Sequence, residues 1–157
     1  MMQTFLFDGR FYDYKPFDLE LWEQNDRAGK EVIMDYLTKN WGLDVYEGDT
    51  YGVDIVLCRQ NEIVGYGEVE VRHNWQDDFP YQTVHVPYRK HKFFGYDYPT
   101  ILFSVKADLR EAMWCRGDVI SACPLVNNPN KYMSSERFFA VPINKWKHIK
   151  LRSSWEN

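Results

Sequence analysis

The sequence predicts a mixed α/β (α+β) fold within a single domain over residues 1–157, with an N-terminal arm at 1–16 and a basic, Trp-containing tail at 144–157. Three observations carry this. A helical stretch with an apolar stripe occupies the segment before residue 40. Two apolar, strand-like runs joined by a polar turn fill 51–72. A further apolar run, Tyr98–Val105, reads as a strong strand.

Met1 to Tyr14 is aromatic and β-like, with Asp8-Gly9 as a hairpin turn signal, and Pro16 ends the run. Such an arm can add an edge strand or pack on a neighbouring subunit. Asp18 is a plausible N-cap for a helix to about Asn40, stopped by Gly42. Val32, Ile33, Tyr36 and Leu37 form its buried stripe, and Gly29 marks a point of close packing or a break near Asn25-Asp26. Glu31 falls among these core positions, although a solvated Glu beside Lys30 is the plainer reading. Trp41 to Tyr46 gives a turn and a short strand, and a polar loop leads on to Asp54.

Ile55, Val56 and Leu57 are the centre of the next strand. Arg59-Gln60-Asn61-Glu62 is the turn, and Ile63 to Val71 returns. Asp54 stands at the start of the first strand. Glu68 and Glu70, two residues apart on the second, point to one face. Acids converging on a half-buried sheet face are costly unless compensated, and a divalent cation is the simplest compensation. Oxygen-rich clusters suit magnesium, manganese or calcium rather than zinc. The alternative is an ordinary hairpin with one of the glutamates turned to water.

Beyond the hairpin, 73–80 is an acidic loop and Gln82–Val86 is extended. His73-Asn74 with His85 faintly suggests a ββα-metal nuclease, but that motif's other features are absent. Pro87 opens a second helix carrying Arg89, Lys90 and Lys92, with Arg89 and Lys92 on one face. Lys106–Glu111 is a turn or short helix, Ala112–Ile120 a strand, Leu125–Tyr132 a loop, and Glu136–Pro142 a strand. In the tail, Lys145, Lys147, His148, Lys150 and Arg152 interleave with Trp146 and Trp155. Such a mixture can grip phosphates and stack bases, or lie as a snorkelling amphipathic segment.

Hydrophobic residues make up 45% and charged residues 27% of the chain, as in a globular protein. The 6 Trp and 11 Tyr point first to an aromatic core. A net charge of -4 argues against a generic nucleic-acid binder, though local patches decide contacts. Three cysteines (Cys58, Cys115, Cys123) without a C-x-x-C pair read as reduced thiols. The four histidines lack zinc-ligand spacing. With no signal peptide and no transmembrane run, the expected setting is cytoplasmic, without membrane partners.

The order helix, strand, acid-led strand, E-x-E strand, basic helix, strand resembles the PD-(D/E)XK nuclease superfamily over roughly Asp18 to Val105. The matching pieces are Gly29-Lys30-Glu31, Gly52-Val53-Asp54, Glu68-Val69-Glu70 and Arg89-Lys90-x-Lys92. The likeness is greatest to the compact Holliday-junction-resolvase and phage or homing-endonuclease branches. It implies a restriction-endonuclease-like core, an αβββαβ mixed sheet flanked by helices. It also implies a metal-dependent DNA endonuclease using Mg2+, with Mn2+ as substitute. In that family Asp54, Glu68 and the Val69 carbonyl would bind the metal, and Glu31 would hold a metal-bound water.

Two departures stand out. Val53 replaces the motif's proline, and Glu70 replaces its lysine. Glu70 can then act as a base or second-metal ligand, or a basic group can have migrated: Arg72, Lys90 or Lys92. The expected catalytic residues are Asp54, Glu68, Glu70 and Glu31, and the expected DNA contacts are Arg72, Arg89, Lys90, Lys92, Lys145 and Lys147. DNA is the expected partner, and cutting two strands implies a homodimer or higher homo-oligomer. The competing expectation is a catalytically inactive nucleic-acid-binding or structural module on the same fold.

Overall fold

A computed structural model describes residues 3–7, 10–14, 19–48, 52–127 and 136–151, with side chains from Asp26 onward. The chain is mixed α and β, with a six-stranded mixed sheet and two smaller sheets among the described residues. Strands β1 (Gln3–Phe7) and β2 (Arg10–Tyr14) pair antiparallel as a separate two-stranded sheet. The Asp8-Gly9 turn and the Asp18 cap lie outside the described residues.

Helix α1 (Leu19–Trp41) ends at Gly42, whose φ of +66° reverses the chain as the sequence predicts. Strands β3 (Asp44–Glu47), β4 (Ile55–Arg59) and β5 (Glu62–Arg72) form an antiparallel meander. The β4–β5 turn is closed by Gln60 and Asn61 with φ of 51° and 66°. Both signs match the primed turns that suit hairpin twist.

Strand β6 (Thr83–Pro87) follows, then a 3-10 segment Tyr88–Gly95 and strand β7 (Thr100–Lys106), which lies parallel to β5. Strand β8 (Glu111–Arg116) pairs with β7. The short helix α2 (Gly117–Ser121), strands β9 (Leu125–Asn127) and β10 (Arg137–Pro142), a 3-10 turn at Ile143–Lys145, and strand β11 (Lys147–Lys150) are the remaining described elements. The large sheet runs β11-β8-β7-β5-β4-β3, and the second runs β6-β10-β9.

Both faces of the large sheet are covered, which is why its central strands read as continuous apolar runs. On one face Ile55, Leu57, Val69, Phe103 and Val105 meet Ile33 and Leu37 of α1. Gly29 lets the helix come close: a Cβ there would lie 2.5 Å from Val71 Cγ2. On the other face Leu102, Met113 and Cys115 pack with Val84, Val86, Phe139 and Val141 of the second sheet and with Ile120 of α2. Among the described residues no helix is long and apolar enough to cross a membrane.

Three local expectations change. The Ala112–Ile120 strand stops at Arg116, and the chain coils into α2, where Arg116 pairs with Asp118 at 3.1 Å and Ile120 drops into the core. The predicted second α-helix is 3-10 instead. The expected loop from Leu125 begins as β9, and the tail supplies β11, an edge strand beside β8.

Candidate functional site

The site grows from a mismatch in strand length. The last β4–β5 pair is Ile55↔Gly67, so residues 68–72 of β5 run on beside β7 without a β4 partner. Among the described residues this leaves the β5 edge without a strand partner where Asp54 enters β4. Asp54 turns into this gap: its Oδ2 accepts the Val69 N–H at 2.8 Å, and its own N–H donates to Glu68 Oε2 at 2.8 Å. The two acids are locked to each other's strands by reciprocal backbone bonds. Charged acceptors make these stronger than neutral hydrogen bonds.

Strand alternation places Tyr66, Glu68, Glu70 and Arg72 on the face opposite α1, with Val69 and Val71 toward the helix. Glu68 is only 5% exposed. Its carboxyl is pushed up from its ordinary value of 4.5, first by burial; the hydrogen bond and charge of Lys90 pull the other way, and Asp54 adds to the rise. Lys90 Nζ donates to Glu68 Oε1 at 2.8 Å.

The 3-10 geometry explains this reach. Residues three apart eclipse on such a helix, so Lys90 lines up with Phe93, which is buried in the core. Its ammonium lies 5.6 Å from the Phe93 ring. Thr100 anchors the segment's end by donating from Oγ1 to the Phe93 carbonyl at 2.7 Å. Glu70 is half-exposed and faces the Arg72 guanidinium at 3.5 Å. Arg72 also donates to Ser104 Oγ at 3.3 Å and to the His85 carbonyl at 3.2 Å.

Beside Asp54 opens a cleft of about 460 Å³ lined by Asp26, Asp54, Val69, Glu70, Val71, His73, Arg89 and Lys90; Glu68 lies behind it, buried under Lys90. Asp26 comes from α1. Burial raises its pKa, the charge of Asp54 raises it further, Lys30 and Lys90 oppose the rise, and Glu70 adds to it. That Asp26 senses both Asp54 and Glu70 places it among the cleft acids.

The structure brings Asp54, Glu68, Val69, Glu70, Arg89 and Lys90 together. Glu31 instead is exposed and lines only a neighbouring hollow, with Asp26, Arg27, Lys30 and Glu47. Among the described residues the helix acid on the cleft is Asp26, five positions earlier; on a 3.6-residue period that step points elsewhere, and the sequence carried no signal to prefer it. Arg89 lines the cleft but is ion-paired with Glu136. Lys92 is exposed, with its ammonium 5.0 Å from the Phe93 ring centroid.

Lys145 and Lys147 stand elsewhere. Lys147 Nζ covers the Trp114 ring at 5.2 Å on edge strand β11. That strand lies three places from β5, roughly 14 Å at the usual strand spacing. Cys58 and Cys115 are buried thiols and Cys123 is half-buried; burial, with Cys123 and Asp118 nearby, pushes Cys115 up to about 11, so it is not a nucleophile at neutral pH.

Asp54, Glu68 and the Val69 carbonyl are hard oxygen donors of the kind that suit a divalent cation. Among the described residues no three Asp, Glu, His or Cys side chains gather into a complete cage. A magnesium ion needs none, because it keeps several waters and is held by one or two carboxylates and substrate phosphate. The donor set therefore fits such an ion, with Lys90 as its competitor for Glu68. Compared with protein-family models, curated proteins and solved structures, the chain matches none.

Proposed function

We propose that this protein is a metal-dependent endonuclease that hydrolyses phosphodiester bonds in DNA, built on a restriction-endonuclease-like core. The observation that carries the reading is the Asp54–Glu68 pair at the edge of β5, with Lys90 on Glu68 and an open cleft beside Asp54. The succession α1, β3–β4–β5 and a β7 parallel to β5 supports it, as in the αβββαβ order implied by the resemblance, with β6 of the second sheet and a 3-10 segment standing where that order has its second helix.

Asp54, Glu68 and the carbonyl of Val69 would hold Mg2+ or Mn2+. Bound there, the ion would supply an activated water and neutralise charge on the phosphate. Lys90 takes the place of the motif lysine that Glu70 displaced. Its ammonium reaches Glu68 from the 3-10 segment, and a short swing turns it toward a phosphate oxygen. Glu70, half-exposed on the cleft wall, is positioned to accept a proton from the attacking water. Asp26 takes the outer-edge role that the resemblance assigns to Glu31. A symmetric homodimer would provide the second site needed to cut both strands.

One observation favours a second reading, a non-cleaving nucleic-acid-binding or structural module. Glu68 is already satisfied by Lys90 and the Asp54 N–H without any ion. Calorimetry separates the two. Magnesium binding in the parent that is lost in Asp54→Asn supports the nuclease; no binding of magnesium or manganese, with or without duplex DNA, supports the module.

A further inference from the structure

Beside the acidic cleft lies a second hollow of about 320 Å³, between the end of β5, the 73–82 loop and β6. Arg72, Asn74, Phe79, Tyr81, Thr83 and His85 line it. The two adjoin: Glu70 and His73 line one, Arg72 and Asn74 the other, and the Glu70–Arg72 ion pair links them.

The walls have a consistent chemistry. Phe79 and Tyr81 stand edge to face, with ring centroids 5.8 Å apart, and Phe79 is braced by the buried Trp75 at 5.6 Å. Tyr81 is 56% exposed, so one of the two rings is rooted and the other is open to a ligand. An amide (Asn74) and two hydroxyls (Tyr81, Thr83) supply donors and acceptors; Asn74 reaches the Tyr81 hydroxyl only at 3.5 Å, a weak bond that a ligand displaces cheaply.

The hollow is poor in net charge. Glu70 already balances Arg72, and burial together with Arg72 pushes the His85 pKa down, leaving the imidazole neutral at pH 7. An anion gains little here. A flat, neutral ligand with several hydrogen-bonding groups gains stacking and polar contacts together.

We propose that this hollow takes one nucleobase of a bound strand. The course of that strand, with its phosphate in the acidic cleft, rests on the nuclease reading; the chemistry of the hollow does not. Each of the four deoxynucleoside 5′-monophosphates, at millimolar concentration, is titrated into isotope-labelled protein, and the Arg72 and Asn74 side-chain signals are followed by NMR. At least one is expected to shift them saturably. Asn74→Ala with Tyr81→Ala, both exposed positions, should weaken that binding by about tenfold or more.

Deoxyribose 5-phosphate, which has no base, should shift neither signal. Equal response to that sugar phosphate, or no response to any of the four nucleotides, overturns the proposal. The two readings fail separately. Nucleotide binding in a protein that cuts nothing keeps the base site and loses the nuclease. Asp54-dependent cutting without a response at the hollow does the reverse.

Discussion

Replacing Lys90 by Met keeps an unbranched apolar stem of similar length and removes the ammonium, which lies 5.6 Å from the Phe93 ring centroid. The carboxylate left behind is 5% exposed and retains one hydrogen bond, from the Asp54 N–H. Breaking one side of a buried pair costs about 3–5 kcal/mol, and because Lys90 is itself 26% exposed the expected cost here is lower, about 2–4 kcal/mol. For a chain of this size that corresponds to a fall in Tm of roughly 4–16 °C.

The loss depends on pH in a defined direction. Burial raises the folded-state pKa of Glu68 above 4.5, so over the window just above that value the native state holds a proton that the unfolded chain has released. Stability from this group is present below the window and lost as pH rises through it. Lys90 is what holds the rise down, so its removal extends the window upward. The deficit of Lys90→Met should be largest near about pH 8 and shrink toward about pH 5. Glu68→Gln in the same chain should recover most of it. Urea unfolding of the three variants in chelator, at both pH values, reads this out. A deficit below about 0.5 kcal/mol, the level of an exposed pair, or one that does not change with pH, refutes the assignment of Lys90 as the countercharge of a buried Glu68.

Magnesium should stabilise Lys90→Met more than the parent, because the ion then meets no resident cation at Glu68; thermal melts with and without magnesium check this. Asp54→Asn keeps an acceptor for the Val69 N–H and should cost under about 1 kcal/mol, whereas Asp54→Ala orphans that group and should cost about 1–3 kcal/mol, with metal-dependent cutting lost in both. Gly29→Ala should destabilise by about 1–3 kcal/mol despite the better helix propensity of alanine, since its Cβ meets the stiff Val71 side chain at 2.5 Å; a melt at or above the parental Tm contradicts the packing described. Asp26→Asn should lower metal-dependent cutting while Glu31→Gln leaves it unchanged, as rates measured side by side will show.

The sheet was legible because burial on both faces writes β4, β5 and β7 as apolar runs, and because Asn61 closes a turn that demands positive φ. The acid pair was legible for the complementary reason: Asp54 and Glu68 interrupt those runs at a cost that only a specific partner offsets. What the sequence hid was three-dimensional. Lys90 and Lys92 look alike in a basic cluster, and only the 3-10 winding, with Phe93 as anchor, turns Lys90 inward. Asp26 and Glu31 are both polar positions on one helix, yet Asp26 lines the cleft as well as the hollow beside it, whereas Glu31 lines only the hollow. Lys145 and Lys147 resemble a phosphate grip in sequence, yet Lys147 lies on an edge strand three places from β5.

The proposed role of Asp54 and Glu68 as the metal-binding heart of a nuclease is tested most directly by cleavage of linear duplex, supercoiled plasmid and a four-way junction, with magnesium, with manganese and with chelator, by the parent and by Asp54→Asn. At least one substrate is expected to be cut in a reaction that needs the metal and disappears in Asp54→Asn while the variant's melt is nearly unchanged. Cutting that persists in chelator, or at the parental rate in Asp54→Asn, would contradict it.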